Sequence, residues 1–479
     1  MRANINPVVD EDWNALMFQR VKHTLWKVFG IDRAIAYVIV GRSISILAGP
    51  ITALMVISFL SPVEQGFYYT FNSLLAIQVF FELGLTLVVL QFASHEKANL
   101  EWNDSGTLTG DLNAKARLAA LLRFSLHWYG IIAILFVGVA IPMGFIFCGN
   151  LSQNDHFVAW QLPWVYLVVV SGVMLFLSPL FALLEGCGLV AEVAMIRSFQ
   201  DLFANVVLWA ALFFKLGLMA APLFLTIRLL WAVGWLVARY KNHLVDLFFF
   251  HQDSVSFSWR AEIWPFQWRI ALSWLSGYFI FQLFTPVLFA FYGPTIAGQM
   301  GISIAIANAI ANMALAWVNT KAAPFGSLIA KSEFEKLDKL FFHSLFQSIF
   351  VVLVGMLAFF GIVIYLNFIS HPFAQRLLAP LPLGVLVLAV IVNQIVGAEA
   401  VYLRAHKQEP FLIISLIGGI LVGLSTYFLG QAYAATGMVV GFFVVNCVVG
   451  LGGGTWVFIR KRRSWHAKPH EVAILIETI

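Results

Sequence analysis

Residues 343–367 read HSLFQSIFVVLVGMLAFFGIVIYLN and contain no Asp, Glu, Lys or Arg. A helix of this length can cross the hydrocarbon core of a bilayer, which takes ~20 apolar residues. The whole chain has the same character, because its 479 residues are 61% hydrophobic and only 11% charged, whereas soluble domains carry roughly 25% charged residues. The sequence therefore predicts an all-α polytopic membrane protein.

Apolar runs of 18 or more residues recur along the chain and predict about twelve transmembrane helices, six in each half. The first six cover residues 34–60, 67–93, 118–148, 159–184, 198–217 and 220–239. The second six cover residues 264–291, 297–320, 343–367, 382–403, 411–429 and 437–459. Helices of ~20 apolar residues each leave room for short connections and for no large soluble domain.

These helices divide the chain into two lobes with cytoplasmic flanks. An N-lobe is predicted at 34–250 and a C-lobe at 263–463, joined by a polar, Ser-rich cytoplasmic linker at 251–262. Residues 1–33 mix Trp, Leu, Met and Phe with Arg and Lys, so we expect an amphipathic segment along the cytoplasmic membrane interface. Residues 464–479 are expected to form a cytoplasmic tail.

The distribution of basic residues predicts the orientation of the helices. Of the 29 Lys and Arg residues, 25 lie in the termini or in connections on one predicted side of the membrane. Lys and Arg concentrate in short cytoplasmic loops. The other four are Arg42, Lys215, Arg228 and Arg376. We therefore expect both termini in the cytoplasm, with an even number of helices between them.

A short pattern repeats in the two halves. Pro62 and Gly66 follow the first predicted helix, and Pro294 and Gly298 follow the seventh, both pairs at a separation of 232 residues. The two pairs lie on the same predicted side of the membrane. The pattern predicts a parallel repeat of two six-helix units, a design in which transporters place a substrate path between the units.

Three stretches of the chain carry a resemblance to a known family. They are residues 59–69 (FLSPVEQGFYY), 80–85 (FFELGL) and 403–411 (LRAHKQEPF). Together with the helix layout of residues 34–463, they resemble the polysaccharide transporter, or O-antigen flippase, branch of the multidrug/oligosaccharidyl-lipid/polysaccharide (MATE-like) exporter superfamily. The resemblance implies two six-helix lobes in a V, with a central cavity that opens alternately to each side of the membrane.

The same resemblance implies a function and a location. Members of this family move undecaprenyl-diphosphate-linked oligosaccharides from the inner to the outer leaflet of the bacterial inner membrane, for synthesis of cell-surface polysaccharide. The substrate would be a lipid-linked oligosaccharide. A polysaccharide polymerase and assembly proteins would be partners in the membrane, beside the surrounding lipids.

Charged residues inside predicted helices are candidate functional residues, because placing a charge in the bilayer costs ~2.5 kcal/mol or more. The first half has four such positions: Arg42, Glu82, Lys215 and Arg228. Arg42 and Glu82 lie at similar predicted depths on antiparallel helices. One interpretation is a structural ion pair between them. The other is that Arg42 binds the phosphate of the substrate while Glu82 tunes or competes for its charge. Glu82 is thus a candidate for ion pairing or coupling.

Arg228 is the strongest candidate for a phosphate ligand. It lies nine residues past the predicted turn near residue 219, hence ~13 Å from the outer boundary by helical rise. Its guanidinium can bind two phosphate oxygens at once, although bonds to backbone carbonyls are the alternative interpretation. Lys215, nearer the outer boundary, is a further candidate for substrate binding, with snorkelling to the interface as its alternative.

The second half is polar at depth without being charged. One stripe at helical spacing consists of Gly301, Ala305, Asn308, Asn312, Ala316 and Asn319. The amides of Asn308 and Asn312 are candidates for binding sugar hydroxyls, and close packing between membrane helices is the alternative interpretation.

The sequence disfavours several other functions. It has no Walker-type Gly-rich loop, so ATP hydrolysis is not expected, and its three cysteines predict neither a disulfide framework nor a metal site. No cofactor or nucleic-acid partner is expected. A membrane glycosyltransferase or ligase would need charged catalytic groups on large outer loops, and the predicted outer loops are short and almost uncharged, so no enzyme is predicted.

One alternative within the same superfamily stays open. A drug or metabolite exporter has the same helix layout as a flippase. Only an expected cationic character of the first-half cavity, from its arginines, favours a phosphorylated lipid over a cationic drug.

The orientation can be tested with single cysteines in a variant that lacks the three native ones. In intact cells, an impermeant thiol reagent should label the outer positions and spare the cytoplasmic ones. The outer positions are Ser61, Asn154, Thr295 and Gln431, and the cytoplasmic positions are Asn99, Ser332 and Ser464. Labelling of the cytoplasmic group before lysis would contradict the predicted orientation.

Overall fold

The computed structural model describes residues 33–103, 107–149, 158–250, 264–406 and 408–466. Helices form most of these residues, and one short antiparallel hairpin joins β1 (Leu100–Trp102) to β2 (Leu108–Gly110). The predicted all-α class is confirmed. The interfacial segment before residue 33, the linker at 251–262 and the tail from residue 467 lie outside the described residues.

The described residues of the first half, 33–103, 107–149 and 158–250, contain nine α-helices. A 3-10 turn joins α2 to α3, and a π-helical turn joins α8 to α9. The helices are α1 Arg33–Phe59, α2 Pro62–Leu75, α3 Val79–Glu82, α4 Leu85–Lys97, α5 Leu112–Gly149, α6 Gln161–Gly186, α7 Val190–Phe213, α8 Ala220–Trp235 and α9 Lys241–Phe249.

The second half, residues 264–466, continues with eight described α-helices. They are α10 Trp264–Phe281, α11 Phe284–Tyr292, α12 Pro294–Asn319, α13 Ala322–Ala330, α14 Phe334–Phe368, α15 Pro380–Ala405, α16 Leu412–Val445 and α17 Thr455–His466. A kink with non-helical torsion angles at Tyr433 and Ala434 interrupts α16. It falls between the ranges predicted for the eleventh and twelfth helices.

The described helices are those of a polytopic membrane protein. Among the described residues, seven helical spans are long and apolar enough to cross a membrane, or up to nine if each of two bent helix pairs is one span. Each of the twelve predicted ranges overlaps a described helix. The count of twelve transmembrane helices stays a prediction.

Helix α14, which contains the stretch 343–367, shows why these helices require lipid. Its buried residues Val352, Met356 and Phe359 recur every three or four positions and pack against the protein. On the opposite face, Phe346 and Phe350 are 69% and 59% exposed. A long face of exposed apolar side chains is unfavourable in water and suits contact with lipid tails.

Two spans are bent by 48° at internal breaks. They are Pro62–Glu82 with Leu85–Lys97, and Leu275–Phe281 with Phe284–Tyr292. At the first break Leu83 (φ 49°) and Gly84 (φ 70°) are left-handed, which glycine adopts freely and leucine only with strain. The two spans touch near their breaks, where the rings of Phe80 and Tyr278 lie 5.0 Å apart between centroids.

The two halves meet where α2 and α12 begin. Both helices have a proline in the first turn, Pro62 and Pro294, where the missing N–H needs no helical partner. Gly66 lies so close to α12 that a Cβ there would overlap the carbonyl of Pro294, and Gly298 lies against the backbone of Gln65 and Gly66. The residues of the predicted repeat therefore pack against each other across the two halves.

Replacing Gly66 by alanine should disrupt this contact. The added Cβ would displace the Pro294 carbonyl, which is backbone and cannot rotate away, and such overpacking costs about 1–3 kcal/mol. We expect a lower midpoint of thermal unfolding for the Gly66→Ala protein in detergent. The matched control is Gly138→Ala in α5, where a Cβ meets no atom within 4 Å. Equal stability of the two variants would contradict the predicted clash.

Candidate functional site

A cavity of about 780 Å³ lies inside the first half of the chain and reaches the second half at Ala305 of α12. Helices α1, α2, α6, α7 and α8 surround this space, which we call the first-half cavity. The polar side chains that matter most for its chemistry are Tyr69, Asn72, Glu82, Asp201, Asn205 and Arg228.

Arg228 of α8 lies in this cavity and pairs with Asp201 of α7. Its Nε is 3.3 Å from Asp201 Oδ1, and the two side chains are 31% and 29% exposed. The Nε atom is buried and has no hydrogen bond of good geometry. Its guanidinium carbon lies 5.8 Å from the centre of the Phe224 ring. The guanidinium is thus balanced in charge and accessible, while one of its donors remains unsatisfied.

Asp201 is a cavity residue that the sequence reasoning missed. It lies 13 residues before the 214–219 connection between α7 and α8, and Arg228 lies nine residues after it. Antiparallel helices place such positions at similar depths. The depth argument that suggested a pair of Arg42 with Glu82 also allows a pair of Asp201 with Arg228, which the packing of α7 against α8 shows.

Glu82 lies at the end of α3, directly before the break at Leu83 and Gly84, and lines the same cavity. The Tyr129 hydroxyl donates to its Oε1 at 3.3 Å and lies 2.9 Å from the hydroxyl of Thr86. These contacts join the break to α5. Glu82 therefore has a described neutral partner.

Arg42 belongs to α1, but its side chain lies outside the described part of the structure. The expected ion pair of Arg42 with Glu82 therefore stays a prediction. The described acidic and basic side chains of the first-half cavity are one guanidinium, of Arg228, and two carboxylates, of Glu82 and Asp201. The cationic character expected for this cavity stays a prediction, because it depends on Arg42 as well as Arg228, and the described Asp201 adds a carboxylate that the sequence reasoning did not include.

Asn308 and Asn312 line a separate cavity of about 540 Å³ in the second half. Asn393 and Gln394 of α15 also line this second-half cavity. The Gln394 amide donates to Ser348 Oγ at 2.7 Å and so connects α15 to α14, which is a helix-packing role. Among the described hydrogen bonds, none involves the amides of Asn308 or Asn312.

Lys215 does not lie with Arg228. It is exposed, follows the end of α7 with a left-handed φ of 58°, and lines a crevice of about 900 Å³ together with Glu64 and Thr295. This crevice lies beside the contact between α2 and α12, at the end predicted to face outward, and we call it the outer crevice. Lys215 and Arg228 thus line different spaces.

Hydrogen bonds across the two halves strengthen the contact between α2 and α12, at the end predicted to face outward. The amide of Gln65, which is 1% exposed, donates to the carbonyls of Gly298 (2.9 Å) and Arg376 (3.0 Å). Arg376 of the second half donates to the carbonyls of Ile57 and Leu60 at the end of α1. A guanidinium there satisfies carbonyls that lack helical partners and interacts favourably with the helix dipole. The sequence indicated only an outer position for Arg376.

Comparison with known proteins identifies the fold. No protein-family model matches the chain, and no curated protein matches it. An inward-facing multidrug resistance MATE family transporter of the MOP superfamily has a TM-score of 0.54 and 13% identity, over 87% of this chain and 98% of that one. The lipid II flippase MurJ, in an inward closed conformation, has a TM-score of 0.54 and 12% identity, over 89% and 87%.

A third solved structure extends this likeness. It is a MOP superfamily transporter from Pyrococcus furiosus, described by the reverse polarity of its binding pocket, with a TM-score of 0.53 and 13% identity over 91% of this chain and 96% of that one. At these identities the likeness concerns the fold. The MATE-like fold is confirmed, whereas membership of the O-antigen flippase branch stays a prediction.

The outer contact can be tested by crosslinking. Cysteines that replace Glu64 and Thr295, one in each half, line the same outer crevice and should form a reversible crosslink. If the outer end must open for release, the crosslink should abolish transport and reductant should restore it. Each single-cysteine variant is the control. Full transport with the crosslink complete would reject alternating access and favour movement of headgroups along an open groove.

Proposed function

We propose that this protein is a secondary transporter, a flippase that moves a polyprenyl-diphosphate-linked oligosaccharide across the bacterial inner membrane by alternating access. In this proposal both termini are cytoplasmic and the substrate enters from the cytoplasmic leaflet. The product supplies cell-surface polysaccharide synthesis, with a polymerase and assembly proteins as partners. The proposal goes beyond the fold and rests on the chemistry of the two cavities.

The observation that carries the proposal is that the guanidinium of Arg228 lies in the cavity with one hydrogen-bond donor unsatisfied. Its guanidinium lies in a cavity of about 780 Å³, and its buried Nε has no well-aligned acceptor. Asp201 balances its charge through a contact at 3.3 Å. A diphosphate offers several oxygens that match the guanidinium fork, so it can compete with a single carboxylate for this partner.

The amides of both halves fit the sugar part of such a substrate. Asn72 and Asn205 line the first-half cavity, and Asn308 and Asn312 line the second-half cavity. An amide both donates and accepts hydrogen bonds, as sugar hydroxyls do. Asn308 lies one helical turn from Ala305, which lines the first-half cavity. An oligosaccharide bound at Arg228 could therefore extend along α12 toward the second half.

A second function is favoured by a specific observation. The first-half cavity contains two carboxylates, of Glu82 and Asp201, and one described guanidinium. A pair of carboxylates in a membrane cavity suits an organic cation, and the same fold occurs in multidrug MATE transporters. An exporter of cationic drugs or metabolites is thus the alternative.

Binding measurements on single variants separate the two functions. The purified protein is titrated with a fluorescent polyprenyl-diphosphate disaccharide. For a flippase, Arg228→Ala should weaken binding roughly 10- to 100-fold, the worth of a charged hydrogen bond, and Arg228→Lys should weaken it less. Asp201→Asn should bind the probe more tightly, because the competing carboxylate is gone.

The control is Arg117→Ala, which removes a guanidinium that pairs with Glu96 at 2.8 Å and does not line the cavity. It should bind the diphosphate probe as the unmodified protein does. A cation exporter reverses the pattern, because Asp201→Asn should then lose binding of a cationic dye while Arg228→Ala keeps it. Unchanged diphosphate binding by Arg228→Ala would reject the proposed site.

A further inference from the structure

A polar stripe on α7 leads from one end of that helix into the first-half cavity. Arg197, Asp201 and Asn205 follow one another at intervals of four residues and so share one face of α7. Asp201 and Asn205 line the cavity. Arg197 lies one turn nearer the start of α7, the end predicted to face the cytoplasm.

Arg197 forms its own carboxylate pair at the mouth of this stripe. Its Nη1 lies 3.2 Å from Glu185 Oε1, and its Nη2 donates to Glu185 Oε2 at 3.3 Å. Glu185 is near the end of α6, in the segment that leads into α7. The Arg197 side chain is 48% exposed, so the guanidinium remains accessible from outside the helix bundle.

Two guanidinium–carboxylate pairs therefore follow each other along one path. The pair nearer the predicted cytoplasmic end of α7 is Arg197 with Glu185, and the pair within the first-half cavity is Arg228 with Asp201. Arg197 and Asp201 are one turn apart, ~6 Å along the axis of α7. By the same helical rise, Arg197 lies 17 residues before the 214–219 connection and Arg228 lies nine after it, so the two arginines differ in depth by ~12 Å, with Asp201 between them.

We propose that Arg197 is an entry site for the diphosphate headgroup, which it receives at the cytoplasmic end of α7 and passes to Arg228. The inference rests on the proposed function and adds a binding site to it. A diphosphate must lose water before it enters the membrane, and such a charge is costly to bury unpaired. Two guanidinium groups in series let it lose water in steps, with a partner at each step.

The exposure of the Arg197 pair favours this role over a purely structural one. Ion pairs with an exposed partner contribute little to stability, typically 1 kcal/mol or less. A bidentate contact with Glu185 nevertheless keeps the guanidinium oriented. When the headgroup arrives it takes the place of Glu185, as it later takes the place of Asp201.

The test measures initial transport rates against substrate concentration in inside-out membrane vesicles, with a fluorescent short-chain polyprenyl-diphosphate disaccharide added to the cytoplasmic side. Arg197→Ala should raise the half-saturating concentration roughly tenfold and leave the maximal rate within about twofold. Glu185→Gln should lower the half-saturating concentration, because it removes the competing carboxylate. Arg197→Lys should give an intermediate value, and Arg117→Ala should match the unmodified protein.

Inorganic pyrophosphate provides a second readout that does not require transport. Added to the purified protein, it should compete with the disaccharide probe, and Arg197→Ala should weaken that competition several-fold. A structural pair predicts the opposite sign for Glu185→Gln, since loss of the carboxylate would leave Arg197 unpaired and impair the protein. A raised half-saturating concentration in Glu185→Gln therefore overturns the inference, even if Arg197→Ala folds poorly.

The failure of this inference is distinct from the failure of the proposed function. If Arg228→Ala loses diphosphate binding while Arg197→Ala and Glu185→Gln both behave as the unmodified protein does, the entry site is wrong and the flippase stands. If Arg228→Ala also binds the diphosphate normally, the proposed function itself is wrong.

Discussion

Gly66 and Gly298 bring the backbones of α2 and α12 into direct contact, and the rest of the arrangement follows from that contact. Neither position has room for a Cβ. Gln65 then donates to the Gly298 carbonyl that this close approach buries, as a buried backbone acceptor requires. Because Arg376 reaches from the second half to the end of α1, the two halves are held together at the end predicted to face outward.

The positions of the two helix bends can be interpreted relative to this contact between α2 and α12. Each bent span has one part beside the contact and one part beyond its break. Backbone torsion changes in a domain motion concentrate at a few residues between rigid elements, and Leu83 and Gly84 already have left-handed torsion angles. Phe80 and Tyr278 bring the two breaks together across the halves. The breaks are thus the places where the parts beyond the outer contact can change direction.

The sequence predicted those features that depend on composition and spacing. The uncharged apolar run at residues 343–367 lies within helix α14, and the prolines of the repeat lie in the first turns of α2 and α12. Contacts between distant segments were harder to predict. Arg376 has no local signal for its partners, which come from α1 and α2 more than 300 residues earlier.

Asp201 was missed for a different reason. It lies four residues from Arg197, near the start of a predicted helix. A charged residue near a helix end is close to water, so the sequence analysis did not single it out as a functional candidate. Only the packing of α7 against α8 shows that it faces Arg228. Depth alone could suggest that pair, yet the face that each side chain presents depends on how the helices are rotated about their axes.

The balance of charge in the first-half cavity is consistent with the function proposed above. An unpaired Arg228 would be a costly charge within the bilayer, so Asp201 neutralises it while the cavity is empty. The contact joins one nitrogen to one oxygen at 3.3 Å, which is weaker than a bidentate pair. An anionic ligand can therefore displace Asp201, and Asp201 can in turn displace the ligand. In the proposed flippase, such an internal competitor would keep substrate binding moderate and so favour release on the other side of the membrane.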